Sequence, residues 1–220
     1  MNRFCYDCGK IILNDDLDKE HIPAKCFFVG YGDKYKTNRI TVDAHKACNH
    51  KYSKIDQELR DAVGILTNNQ TDKSELTEKA IRSIMRKKTG IERVSFEDNS
   101  GFVDFNYEEL RTLHIKNFKG IFFHEYGKPI PQKFTIEIGD QECFSMRDEL
   151  QQVYNIIDNG IPQWNISGHS SIFKYKIVVI DIQGSITKFD ENSDEQLIVG
   201  LLVYHEEMIS ICIASPFVWS

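Results

Sequence analysis

Cys5-Tyr6-Asp7-Cys8 is a Cys-x2-Cys pair, followed by Gly9, the small residue a knuckle turn needs. Forty residues later comes His45-Lys46-Ala47-Cys48, a His-x2-Cys pair. Two residues between ligands let both side chains converge on one tetrahedral ion, so the two pairs predict a closed Cys3His zinc site of structural type. An ion held in this way supplies folding free energy to a segment too short to bury much apolar surface. Two unrelated pairs of small buried residues are the alternative, and their joint occurrence weighs against it. Cys26, Cys143 and Cys212 have apolar neighbours and read as buried, inert thiols.

Between the pairs stands Asp18-Lys19-Glu20-His21-Ile22-Pro23-Ala24-Lys25, and Asn49 follows the last zinc ligand directly. A neutral imidazole of pKa near ~6.5 can take a proton from water at physiological pH. Phosphodiester hydrolysis also needs charge stabilisation on the phosphate oxygens. A hard cation such as Mg²⁺ or Mn²⁺ provides it, held by oxygens from Glu20 and Asn49 and by waters. Strand alternation would set Glu20 and His21 on opposite faces. The plainer readings are a surface histidine beside a glutamate and, for Asn49, a helix N-cap. His50 reads as a surface residue, and Asp56 and Glu58 as supplementary acids at most.

The order Cys-x2-Cys, Glu-His-Ile-Pro and His-x2-Cys-Asn resembles the HNH endonuclease family, whose core is the ββα-metal finger. The resemblance covers residues 5 to about 60. Asn117-Phe118-Lys119-Gly120-Ile121-Phe122-Phe123 and Phe173-Lys174-Tyr175 are more loosely similar to the α+β region appended in bacterial members. The resemblance implies that His21 is the general base, that Glu20 and Asn49 hold the catalytic ion, and that products carry 5′-phosphate and 3′-hydroxyl ends. It also implies, by analogy alone, a role in restriction or phage defence. The family's middle asparagine, which braces the loop bearing the base, falls on Ile40, with Asn38 and Thr41 as the nearest polar stand-ins.

The net charge of −6 is unevenly spread. Residues 1–65 carry 11 basic and 10 acidic side chains, residues 66–133 carry 12 and 10, and residues 134–220 carry 4 and 13. A polyanion suits the first two segments and is repelled by the third. Lys25, Lys46, Lys51, Lys54, Arg82 and Arg86, with Lys87 and Lys88, are the candidate phosphate contacts; a solvated helix face is the alternative for the later group. Tyr31, Tyr35 and Tyr52 are candidates for stacking on bases or for packing. His114, His124, His169 and His205 have no ligand-spaced partner. The acidic third suits contact with a protein partner, or simply its own core.

Three segments are therefore expected: a nuclease domain over 1–65, a helical and mildly basic connection over 66–133, and an acidic α+β domain over 134–220. Strands are predicted at Asn38–Val42, Gln132–Ile138, Phe173–Ile182, Leu197–Tyr204 and Met208–Ala214. Helices are predicted at Asn49–Val63, from Asp72 or Ser74 to Gly90, at Tyr107–Phe118 and at Met146–Asn159. The fold class is α+β: a zinc-stapled ββα unit, a helical linker and a mainly antiparallel α+β region. No apolar run approaches the ~20 residues of a membrane span, and with no apolar leader at the N-terminus a cytoplasmic protein is expected. The function expected is metal-dependent cleavage of DNA, with cleavage of RNA as a weaker alternative reading. The alternative is a non-catalytic zinc-stabilised module that binds nucleic acid or protein.

Overall fold

The computed structural model describes residues 3–66, 74–86, 93–97, 100–104, 106–140, 155–161, 163–206 and 208–216. Cys143, Lys87, Lys88 and residues 146–154 of one expected helix lie outside them. The architecture is mixed α+β with antiparallel sheets, and no described helix is long and apolar enough to cross a membrane.

The N-terminal hairpin pairs β1 (Leu17–Ile22) with β2 (Ile40–His45) in antiparallel register, Glu20 opposite Val42 and Ile22 opposite Ile40. Alternation turns Glu20, Ile22, Ile40, Val42 and Ala44 into the core, while His21 and His45 are only partly buried. β1 stops where Pro23, which has no N–H for the ladder, follows Ile22. The helix expected over Asn49–Val63 is two pieces, α1 (Lys46–His50) and α2 (Ser53–Leu66), separated by a turn at Lys51-Tyr52.

α3 (Ser74–Met85) packs along α2 through a face that mixes apolar and small polar side chains. Leu76, Thr77, Ala80 and Ser83 are buried, whereas Ile81 and Met85 are 41% and 79% exposed. The reason is close approach. A Cβ on Gly64 would stand 2.9 Å from Ala80 Cβ, and Thr77 Oγ1 donates to Gly64 O at 2.8 Å. Small side chains therefore face α2, and their hydroxyls are satisfied there. A short hairpin follows, β3 (Arg93–Glu97) with β4 (Ser100–Asp104).

α4 (Tyr107–Tyr126) is the strut of the molecule, running eight residues beyond the expected end at Phe118. Asn106 caps it, accepting from Glu108 N (3.0 Å) and Glu109 N (3.4 Å), with two acidic residues in the first turn to complement the dipole. Gly127, at φ +68°, ends it with its N–H on Phe123 O. The C-terminal sheet has the order β5-β9-β8-β7-β6, from β5 (Thr135–Asp140), β6 (Asn165–Ile166), β7 (Phe173–Asp181), β8 (Gln196–Tyr204) and β9 (Met208–Ser215). Every residue of β8 is buried, as expected for a central strand covered on both faces. α4 lies between this sheet and the N-terminal hairpin, and one apolar cluster runs from Cys5 through Phe118 to Ala214.

The crossing of α4 over β1 depends on Gly120, where a Cβ would fall 2.5 Å from Ile22 Cγ1. Gly120→Ala is expected to destabilise the protein by about 1–3 kcal/mol through overpacking, read as a lowered midpoint in urea. An unchanged midpoint would mean that the contact is slack.

Candidate metal centre and adjoining cleft

The first zinc pair sits in a tight turn. Gly9 N donates to Cys5 O at 2.9 Å with Gly9 at φ +70°, and Tyr6 N bonds Asp43 O at 3.0 Å, fastening the turn to β2. The second pair straddles the junction of β2 and α1: His45 ends the strand and Cys48 lies one helical turn on. The ligand atoms of Cys5, Cys8, His45 and Cys48 all lie within 4.8 Å of one another. Metal–ligand bonds near 2.0–2.3 Å put tetrahedral ligand atoms roughly 3.5–4 Å apart, so this Cys3His cluster could hold one zinc ion after small adjustments.

The surroundings fit that ion. His45 Nδ1 lies 3.3 Å from Cys8 Sγ, while Nε2 is 3.2 Å from Ile11 O, the kind of outer partner that fixes a metal-binding tautomer. Burial, with the charges of Cys5 and Cys8, pushes the Cys48 thiol up to about 12. A divalent cation cancels that repulsion. Asp7, inside the knuckle, receives Tyr52 Oη (2.9 Å), Lys119 Nζ (3.1 Å) and Lys51 Nζ (2.5 Å). Burial opposes its ionisation, yet the two lysines hold it below the usual carboxylate range.

Beside the cluster opens a cleft of about 250 Å³, lined by Glu20, His21, Lys25, Asn49, Ser53 and Asp56 among others. The three residues predicted from sequence thus reach one cleft. Glu20 Oε1 accepts the His21 N–H at 3.0 Å, while the buried Oε2 has no hydrogen-bond partner among the described residues. Burial pushes the Glu20 carboxyl up to about 7 against the pull of Lys116, with the Asp56 charge adding to the rise. Burial, then Lys25, Arg39 and Lys116, push the His21 imidazole down to about 4, and its buried Nδ1 has no hydrogen-bond partner among the described residues. Asn49 is not an N-cap: α1 begins three residues earlier, and the Asn49 amide donates to Asp18 Oδ2 at 2.8 Å.

Sequence reasoning missed three contributors. Lys116, fully buried on α4, reaches Glu20 Oε1 (3.3 Å) and both Asp56 oxygens (2.7 and 2.6 Å). Asp7 anchors the knuckle, as described above. Ser167, from the C-terminal region, receives the Ile40 N–H (2.9 Å) and donates to Ile22 O, bracing the end of the hairpin just past His21. That bracing was expected from Asn38 or Thr41; Ile40 itself is core, 5% exposed.

The predicted phosphate contacts divide. Lys25 is exposed at the cleft, and Arg82 and Arg86 are exposed on and just beyond α3. Lys46 Nζ donates to Asp15 O, Lys51 pairs with Asp7, and Lys54 pairs with Glu58 and Glu109. Tyr31 and Tyr52 are buried, and the ring of Tyr35 packs 5.1 Å from that of Tyr31, so packing is their role here. Cys26 lines the cleft, but burial pushes its thiol up to about 12 and its Sγ donates to Asp56 O, which makes it inert. Comparison with known proteins gives no match: no family model, curated protein or solved structure aligns with the chain.

Proposed function

We propose that this chain is a divalent-cation-dependent endonuclease of the HNH type, hydrolysing phosphodiester bonds in DNA. The observation that carries the reading is the meeting of Glu20, His21 and Asn49 in one cleft beside a Cys3His cluster on a ββα-like unit. A hard cation fits there: Glu20 offers a buried oxygen with no hydrogen-bond partner among the described residues, and Asn49, its amide donating to Asp18, offers its carbonyl oxygen. When bound, that cation supplies charge stabilisation at the phosphate oxygens. His21 is neutral at physiological pH, so one ring nitrogen accepts a proton from the attacking water. An anionic phosphate drawn in beside Lys25 offsets the field that depresses the imidazole and raises its basicity where it is used. Lys25, Arg82 and Arg86 are free of carboxylate partners among the described residues and bind backbone phosphates without reading sequence.

The direct test is plasmid nicking by zinc-loaded protein with Mg²⁺ or Mn²⁺ added or omitted. Omission is preferred to chelation because a chelator also strips the structural zinc. Cleavage that ignores added cation contradicts the proposal, and matched RNA substrates decide the nucleic acid. Protons compete with the cation for Glu20, whose carboxyl ionises near 7. Mn²⁺ affinity is therefore expected to fall about tenfold per pH unit below that value and to level off above it. Calorimetric titrations at pH 6, 7 and 8 check this; a flat profile would remove Glu20 as a ligand.

One observation favours a second reading, a non-catalytic zinc-stabilised binding module. Glu20 and Asn49 already have protein partners in Lys116 and Asp18. Absence of nicking together with retained DNA binding would select it.

A further inference from the structure

Lys116 belongs to the buried stripe of α4 formed by Leu113, Lys116, Asn117, Gly120 and Ile121. A lysine is almost never fully buried unless it is paired. This one is paired twice, to both oxygens of Asp56 at 2.7 and 2.6 Å and to Glu20 Oε1 at 3.3 Å, with the Tyr52 ring centroid 5.6 Å away. The two contacts with Asp56 are hydrogen bonds, and the one with Glu20 Oε1 is an ion pair. Glu20 Oε2 is left over, buried and without a hydrogen-bond partner among the described residues. The cluster therefore holds two carboxylates and one unit of positive charge, arranged where a cation with carboxylate ligands would sit.

We propose that Lys116 is a positioning residue that competes with the divalent cation for Glu20 and so keeps the affinity of the cleft for that cation low. The proposal rests on the reading of Glu20 as a cation ligand. A cation on Oε2 stands close to the ammonium on Oε1, in a region shielded from water, where like charges repel strongly. Asp56, with two bonds to the ammonium, retains Lys116 when Glu20 turns to the cation. A substrate phosphate brings further oxygen ligands and negative charge, so cation and nucleic acid bind more tightly together than apart.

The test is Mn²⁺ titration of the full-length, zinc-loaded protein without nucleic acid, followed by calorimetry and by the electron paramagnetic resonance signal of free Mn²⁺. Lys116→Gln, which keeps a polar side chain but removes the charge, is expected to bind Mn²⁺ at least about tenfold more tightly than wild type. A damaged fold cannot produce that gain. Lys116→Arg keeps the charge and is expected not to tighten Mn²⁺ binding. Asp56→Asn frees the ammonium to lean wholly on Glu20, and is expected to weaken Mn²⁺ binding by about fivefold or more. Should Lys116→Gln fail to fold, Asp56→Asn carries the test alone, and unchanged or tighter binding in it overturns the proposal. Tightening by Lys116→Arg, or none by folded Lys116→Gln, also overturns it. Glu20→Gln separates the two readings. If it abolishes Mn²⁺ binding while Lys116→Gln gains nothing, only the role of Lys116 falls. If it leaves binding as in wild type, the cation reading of Glu20 falls.

Discussion

Cys8→Ala is expected to yield protein that retains little zinc and unfolds more than about 10 °C below wild type. Structural zinc contributes an apparent ~10–16 kcal/mol in short zinc-stapled peptides, because the site does not exist before folding. Here part of that support comes from the shared core, since Cys5, Tyr6 and Ala44 are fully buried in it. A net loss of even about 4 kcal/mol would lower the melting temperature of a chain this long by roughly 8–16 °C. The damage spreads beyond the knuckle. Asp7 lies between the two cysteines and takes bonds from Tyr52 and Lys119, so loosening the turn releases the start of α2 and one side of α4. Zinc content by mass spectrometry and thermal unfolding by circular dichroism check this together. A zinc-free variant that melts with wild type would remove the structural role of the cluster.

His21→Ala is expected to lower cleavage by about 10²–10⁴-fold, the usual contribution of a positioned general base, while leaving Mn²⁺ binding and melting near neutral pH close to wild type. Its stability should also depend less on acid. The folded-state pKa of His21, about 4, lies below its unfolded value near 6.5. The unfolded chain therefore binds more protons between those values, and wild type loses stability as pH falls through that window. Without the imidazole that loss disappears. Urea unfolding at pH 7 and pH 5 reads the difference; an equal acid loss in both proteins would place the titration elsewhere.

The Cys3His cluster was legible because the spacing within each pair is local: two residues separate its members, and any turn or helix start brings them together. β7, β8 and β9 were legible for the related reason that long apolar strands announce themselves, and their ends fall within a residue or two of expectation. What escaped detection depended on distant parts of the chain. Lys116 lies 60 positions from Asp56, and Ser167 lies 127 from Ile40, so no motif around Glu20 could reveal either. A weaker signal was present, a lysine at helical spacing between Leu113 and Gly120 on the buried face of α4. The end of α4 was misjudged because its later residues mix aromatic, charged and polar types, yet Gly127 marks the stop. The face that α3 turns to α2 is not set by apolar periodicity alone, because close packing against Gly64 admits small residues such as Thr77 and Ala80.

The proposed reaction requires His21 to deprotonate water next to a cation held by Glu20 and Asn49. Plasmid nicking measured side by side for zinc-loaded wild type and His21→Ala, with Mn²⁺ present and omitted, tests this most directly. The expected result is cleavage only by wild type and only with Mn²⁺. Equal cleavage by the two proteins would contradict it.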